Sequence, residues 1–256
     1  MKKHTSDKQS KDIFGTAIKA WYYHQDKTDI IVHSPDFDDD VIEVPYLFRD
    51  YKKMPVIERT ALDNCTGRVL DVGCGAGSHG LYLQNNKKLP VTGIDISHGA
   101  IEVAKERGLK DARNLNFFEL ENESFDTLLF LMNGTGIIGQ LKNLDHFFDQ
   151  CKSLLAPGGK ILIDSSDLRY LFDEDEDGGI WIEMDSDYYG ELEFSVSYKN
   201  DVSETFNWLY LDFKILSIAA AKSGFSCELI KEGEHYDFLA ELKPLVHEEN
   251  SPIISS

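Results

Sequence analysis

Between Gly67 and Leu242 the chain alternates short apolar runs with longer amphipathic stretches. The apolar runs are 68–72, 91–96, a weaker one at 110–116, 127–132 and 160–164, each of a length and character suited to a buried strand. Helical spacing occupies the intervals 79–85, 98–107 and 144–155. In the last of these Leu144, Phe147, Phe148, Cys151, Leu154 and Leu155 form one stripe. Ser97 and Asn143 stand where the second and third of these helices need N-caps. Strands alternating with helices predict an α/β fold, a parallel sheet covered on both faces.

The flanks break this rhythm. Residues 13–24 read as a helix with Phe14, Ala17, Ile18 and Trp21 on one side. Residues 29–43 read as extended and turn-rich, and 46–62 return to helical spacing, with Pro55 near the start of a second helical piece. Residues 13–62 are therefore expected to be an N-terminal cap, preceded by a solvated tail at 1–12. Within 63–243, residues 179–212 are expected to be a β insert. ELEFSVSY and ETFNWLYL alternate around the turn-like KNDV, with Trp181, Trp208, Tyr188, Tyr189 and Tyr210 concentrated there. A helix at 211–223 ends at Gly224, in the position of a left-handed C-cap. Strands at 227–231 and 236–242 complete the domain, leaving 244–256 as a second tail.

Composition changes this picture little. The chain has 256 residues, 42% hydrophobic and 28% charged, as expected for one globular domain with decorations. It holds no apolar run long enough to cross a membrane, and no apolar stretch follows the first lysines, so a cytoplasmic protein is expected. The net charge of −19 disfavours a phosphate backbone as partner. Cys65, Cys74, Cys151 and Cys227 form no CxxC pair, and the histidines form no HxxxH pair, so no metal site is expected. The run DEDEDGG matches the first half of an EF-hand loop at Asp173, Asp175, Asp177 and Gly178. Met184 then stands where the bidentate glutamate is required, and a solvated acidic loop is the preferred reading.

Candidate chemistry lies in 68–83, RVLDVGCGAGSHGLYL. A buried strand runs into Gly73, Gly75 and Gly77 and then into a helix. Glycines there allow a tight turn and let a ligand approach the backbone, while helix N-terminal amides point into the same space. Asp95 ends the next strand, where a carboxylate accepts hydrogen bonds from ribose hydroxyls. Gly75, Gly77 and Gly80 also satisfy GxGxxG, a weak dinucleotide signal. Asp71 disfavours a pyrophosphate and suits a cationic ligand.

The DxGxGxG arrangement of Asp71, Gly73, Gly75 and Gly77 resembles motif I of class I S-adenosylmethionine-dependent methyltransferases. Asp95, FDTLLFLMN and LLAPGGKILID, with its Pro157–Gly158–Gly159 turn, follow in the order of that family. The resemblance implies a doubly wound, Rossmann-like sheet of seven strands, mostly parallel with the last antiparallel. It implies S-adenosyl-L-methionine as cofactor and S-adenosyl-L-homocysteine as product. It further implies that Asp71, Gly73, Cys74, Gly75 and Gly77 surround the methionine and ribose, that Asp95 holds the ribose and that Ile96 packs on the adenine. Asn116 would read the adenine amino group with Phe117 beside the ring, and Met132, Asn133 and Gly134 would lie next to the sulfonium. No catalytic residue is assigned; Asp167, His79 and tyrosines of the cap are candidate bases. A small-molecule acceptor is the leading expectation, since no Asn-Pro-Pro-Tyr signature follows Asn133. A cofactor-binding module without catalysis and a nicotinamide-dependent oxidoreductase are the alternatives.

Overall fold

A computed structural model of the protein describes residues 11–171 and 188–245. The N-terminal region supplies α1 (Ile13–His24), β1 (Ile30–His33), β2 (Asp40–Ile42) and α2 (Val56–Asn64), with single 3-10 turns at Val44–Phe48 and Tyr51–Lys53. Alternation then gives β3 (Val69–Val72), α3 (Ser78–Asn85), β4 (Val91–Asp95), α4 (His98–Glu106), β5 (Ala112–Asn114), β6 (Phe125–Phe130), α5 (Leu144–Leu154) and β7 (Leu155–Ser166). The chain closes with β8 (Glu191–Tyr198), β9 (Asp201–Val202), β10 (Phe206–Leu209), α6 (Phe213–Lys222), β11 (Phe225–Glu232) and β12 (Asp237–Pro244).

The main sheet has the order β11-β12-β7-β6-β3-β4-β5. Strands β7, β6, β3, β4 and β5 run parallel, whereas β12 is antiparallel to both β7 and β11. Seven strands with the chain's last one reversed is the expected topology. Side chains alternate across each strand. Leu70, Leu128, Phe130, Ile161 and Ile163 meet Phe147, Phe148, Cys151 and Leu154 of α5 and Leu216 and Ala220 of α6. Val69, Leu129, Leu162 and Leu239 meet Ile57, Ala61 and Leu62 of α2, Leu83 of α3 and Ile101 and Ala104 of α4 on the other face. Helix α2, expected in the cap, is thus a layer helix of the main sheet.

A second, antiparallel sheet has the order β10-β8-β1-β2, with β9 paired to β8. The cap and the insert, read as separate decorations, are one structure: Ile31 pairs with Ser197, Val32 with Val196 and His33 with Ser195. Its inner face, with Ile30, Val196 and Tyr198, packs on Ile13 and Ala17 of α1. Ile18 on another side of α1 meets Ala76, Ala100 and Val103.

Several boundaries move. Asp12, expected in a tail, caps α1 by accepting the Gly15 amide through Oδ1 (2.8 Å), and its Oδ2 accepts the Gly99 amide at 2.9 Å. Pro244 belongs to β12, and Leu245 still donates its amide to Gly224 O. Ser97 caps α4 as expected, accepting the Ala100 amide at 3.0 Å. Asn143 does not cap α5; its side-chain amide donates to Ile138 O instead, because a 3-10 turn at Leu141–Asn143 leads directly into the helix. The turn-like KNDV contains the short strand β9.

Candidate functional site

The parallel strands end together along one edge, and the predicted residues gather there in strand order. Gly73, Gly75 and Gly77 all take positive φ (+70°, +52° and +83°), a region that glycine adopts without strain. A Cβ built on Gly73 or Gly75 meets nothing within 4 Å, so both backbones border open space. Gly77 differs: its Cβ would lie 3.2 Å from Ala104 Cβ, so this glycine serves helix packing. Gly80, the last glycine of GxGxxG, does the same, since a Cβ there would come within 3.1 Å of Asp71 Oδ2 and Leu109. Cys74 is buried beneath the turn, and a Cβ on Gly93 would meet its Sγ at 3.0 Å.

Asp71 does not line the open side. It shares its face of β3 with Val69, because side chains two apart on a strand point the same way. Its carboxyl therefore lies under α3, and the residue is 2% exposed. Burial pushes its pKa up to about 6, against the pull of the nearby His79 charge and the Gly80 amide. The carboxyl expected to face a cation thus lies buried beside Gly80 and His79. His79, a candidate base, is also buried: its Nε2 lies 2.8 Å from Glu58 Oε2, and Arg49 binds the other oxygen of that carboxylate. Burial alone would raise the Glu58 carboxyl; His79 and Arg49 hold it below the ordinary carboxylate range. This cluster fastens α2 to α3 and keeps the His79 side chain buried against Glu58.

At the end of β4, Asp95 receives the Gly75 amide on Oδ2 and the Ser97 amide on Oδ1, both at 2.8 Å. Burial raises its pKa, opposed by those two amides. Beside it Ile96 is 77% exposed, an apolar side chain open to solvent. Beyond β5, Asn116 is exposed and its Oδ1 accepts the Phe118 amide at 3.0 Å, capping a 3-10 turn. Phe117, expected beside a ligand ring, is instead core. It is 4% exposed and packs edge-on against Phe130 at 5.2 Å. The 3-10 turn at Phe117–Glu119 rotates successive side chains, so Phe118 is the half-exposed ring, stacked on His146 at 4.9 Å.

After β6, Met132 and Asn133 both adopt left-handed backbone conformations, φ +67° and +58°. Asparagine tolerates this region, whereas a residue such as methionine gives up about 1–2 kcal/mol there. A buried carboxylate from the neighbouring strand holds the turn. Asp164 accepts the Met132 amide on Oδ2 (3.0 Å) and the Gly134 amide on Oδ1 (2.8 Å). Burial pushes the Asp164 pKa up to about 7, against the stabilising amides of Gly134, Asn133 and Met132. Sequence reasoning misses Asp164, taking it as a strand residue; an acid inside the apolar run KILID was the one available signal. Met132 is 39% exposed toward the open edge.

The end of β7 carries a further cluster. Ser166 donates to Asn133 Oδ1 at 2.8 Å. Asp167, a candidate base, is bound by Arg169 through Nε (2.8 Å) and receives the Tyr189 hydroxyl at 3.0 Å. Although burial pushes it up, Arg169 and Tyr189 hold the Asp167 carboxyl below its usual range. Among the described residues of the insert, Trp208 packs directly on the turn after β6: a Cβ on Gly136 would collide with Trp208 Cε2. Trp181 and the acidic run at 173–177 lie outside the described residues. Among the described residues no three His, Cys, Asp or Glu side chains converge as a metal site would require, and no helix is long and apolar enough to cross a membrane.

Comparison with known proteins accords with this geometry. The sequence profile of the methyltransferase-domain family matches residues 64–207. A structure of an S-adenosylmethionine-dependent methyltransferase from Bacteroides fragilis, bound to S-adenosyl-L-homocysteine, is 51% identical. It covers 92% of this chain and 96% of its own, with a TM-score of 0.85. A methyltransferase structure from Clostridium acetobutylicum, 16% identical over 77% of this chain and 93% of its own, shares the fold with a TM-score of 0.57. The ubiquinone biosynthesis O-methyltransferase of Pasteurella multocida is 32% identical over 107 residues, 37% of this chain. The chain spans 44% of the length of that relative, and 20% of phosphoethanolamine N-methyltransferase 3 of Arabidopsis thaliana, to which it is 31% identical over 99 residues. The seven-stranded order agrees with the matched structures, and the profile covers more than half of the chain: the chain belongs to the methyltransferase-domain family, as an S-adenosylmethionine-dependent enzyme of the class I fold.

Proposed function

We propose that this chain transfers a methyl group from S-adenosyl-L-methionine to a small-molecule acceptor held between the open edge of the main sheet and the second sheet. The observation that carries the reading is the pair of glycines, Gly73 and Gly75, whose missing side chains leave a cradle open beside the Asp95 carboxylate. When bound, the cofactor supplies a methyl group activated by its sulfonium. The protein's part is proximity and alignment, which contribute several kcal/mol to such a displacement.

In this reading Gly73 and Gly75 admit the cofactor to the backbone, and Asp95 keeps acceptor capacity for ribose hydroxyls beyond its two amide bonds. Ile96 offers the adenine an apolar surface, with Asn116 at the far rim. Met132, Asn133 and Gly134, fixed by Asp164, hold the point of transfer. Phe117 and His79 have structural roles. The second sheet excludes water from the acceptor side, an arrangement suited to a bounded ligand.

Calorimetric titration with S-adenosyl-L-methionine, S-adenosyl-L-homocysteine and NAD tests the reading. Micromolar binding of the first two with none of NAD is expected. NAD binding alone would overturn it.

A further inference from the structure

Resting on that reading, we infer that the methyl acceptor is a cationic or basic amine, received in a ring of side chains between β6, β7 and the second sheet. The ring closes through successive contacts. Asn133 is hydrogen-bonded to Ser166, which adjoins Asp167, and Asp167 receives the Tyr189 hydroxyl at 3.0 Å. Tyr189 precedes Gly190, whose carbonyl accepts the Tyr210 amide at 2.7 Å. Two residues back along the same strand line, Trp208 rests on Gly136, three residues from Asn133. These residues form a continuous chain of contacts beyond the ends of β6 and β7, beside the turn that the proposed function places at the methyl group.

Two features of the ring select charge. Alternation along the strand puts Phe206, Trp208 and Tyr210 on one face of the second sheet, and the pairing Phe206↔Phe194 adds a fourth ring to that face. All four rings are half-buried, so part of this wall remains accessible beyond the portion that α1 covers. Aromatic faces attract cations through their quadrupoles. The carboxylates of Asp167 and Asp212 stand at the end of the wall, joined by Tyr189, whose hydroxyl also lies 2.9 Å from Asp212 Oδ2. Among the described residues the one cationic side chain bonded into this cluster is Arg169, and it is already engaged with Asp167. Both carboxylates are themselves held, Asp167 by Arg169 and Tyr189 and Asp212 by Tyr188, Tyr189 and the Ile215 amide. Two carboxylates nonetheless stand against one guanidinium, so an anionic acceptor would meet no uncommitted cation among them, within a chain of net charge −19. An ammonium group finds both of the surfaces that favour it. Methylation of such an amine, in its uncharged form, forms one N–C bond and breaks one S–C bond. The proton it releases leaves to the solvent that reaches half-exposed Asn133 and Ser166.

Benzyltrimethylammonium, which cannot itself be methylated, serves as probe, against benzyl alcohol and benzenesulfonate of similar ring. Each is titrated into the protein with and without saturating S-adenosyl-L-homocysteine, followed by Trp fluorescence and calorimetry. Failure of the product to bind would count against the proposed function, while the probe titration still reports on the ring. The expected result is binding of the cation at least roughly tenfold tighter than the alcohol, with no binding of the sulfonate. Trp208→Leu and Asp167→Asn should each weaken the cation by roughly three- to tenfold, and Trp208→Phe by less, with product affinity unchanged. Equal or tighter binding of the alcohol or the sulfonate would overturn the inference, as would cation binding that all three variants leave untouched.

Discussion

Asp95 at the end of β4 and Asp164 near the end of β7, separated in the sheet by β6 and β3, both spend their oxygens on backbone amides. Each therefore fixes a loop rather than reaching for a partner side chain, and the loops it fixes carry the exposed residues Ile96 and Met132. The cradle beside Asp95 is sensitive to single atoms. In Gly75→Val the side chain fills the space that the native residue leaves open and forces a β-branched residue to φ +52°. Such a conformation carries a strain of about 1–3 kcal/mol. We expect S-adenosyl-L-homocysteine affinity to fall at least about a hundredfold with the fold retained; calorimetry and circular dichroism check the two halves of that statement. The glycine turn, Asp95 at the end of β4 and the turn after β6 were legible as local structure because strand-to-helix turns carry local signatures. Asp164 was not, since its partners lie on the far side of α5 in the chain. Phe117 and Phe118 could not be told apart because adjacent aromatic residues in a short irregular turn have no period to assign them.

At the scale of elements, the junction between α1 and α4 is unusually close. A Cβ on Gly99 would lie 2.8 Å from the backbone of Gly15, and the Asp12 carboxylate serves the N-terminal amides of both helices. A capping carboxylate contributes about 1 kcal/mol to one helix, and here it contributes to two. Asp12→Ala is expected to destabilise the protein by about 1–3 kcal/mol, measured by chemical denaturation, and to loosen α1 from α4. The helices and strands of the main sheet could be read from periodicity alone. The second sheet could not, because β1 is IIVH, three apolar residues without alternation, and its pairing with β8 joins segments from opposite ends of the chain. The 3-10 turns at Val44–Phe48 and Tyr51–Lys53 were likewise merged into helical spacing, since Pro45 and Pro55 punctuate the segment without fixing its hydrogen bonds.

For the whole molecule, the buried carboxyls set an uncommon dependence on pH. Asp71 and Asp164 titrate in the folded state at about 6 and about 7, against about 3.9 in an unfolded chain. The folded state thus binds protons more readily than the unfolded state between about pH 4 and 7, and stability rises as pH falls through that window. Each group contributes at most about 1.4 kcal/mol per pH unit. Below about pH 4 the trend reverses, because Asp111 and Glu123, held down by Arg113, lose their ion pairs on protonation. Thermal unfolding followed from about pH 3.5 to 8 should therefore show a maximum near roughly pH 4–5, with a shallower upper limb in Asp164→Asn; a maximum near neutrality would contradict it.

The pairing of β1 with β8 also orders events in time. During synthesis the first strand of the second sheet, at Ile30–His33, emerges long before its partner at Glu191–Tyr198. At an elongation rate of about 5–20 amino acids per second it waits roughly ten seconds or more. Until then its apolar run has only the short β2 to pair with. Closing so long a loop is costly before the main sheet has drawn its ends together. The second sheet can thus close only after β3 to β7 have emerged, while β11 and β12 emerge later still, so the β7 side of the main sheet is the last part to be completed.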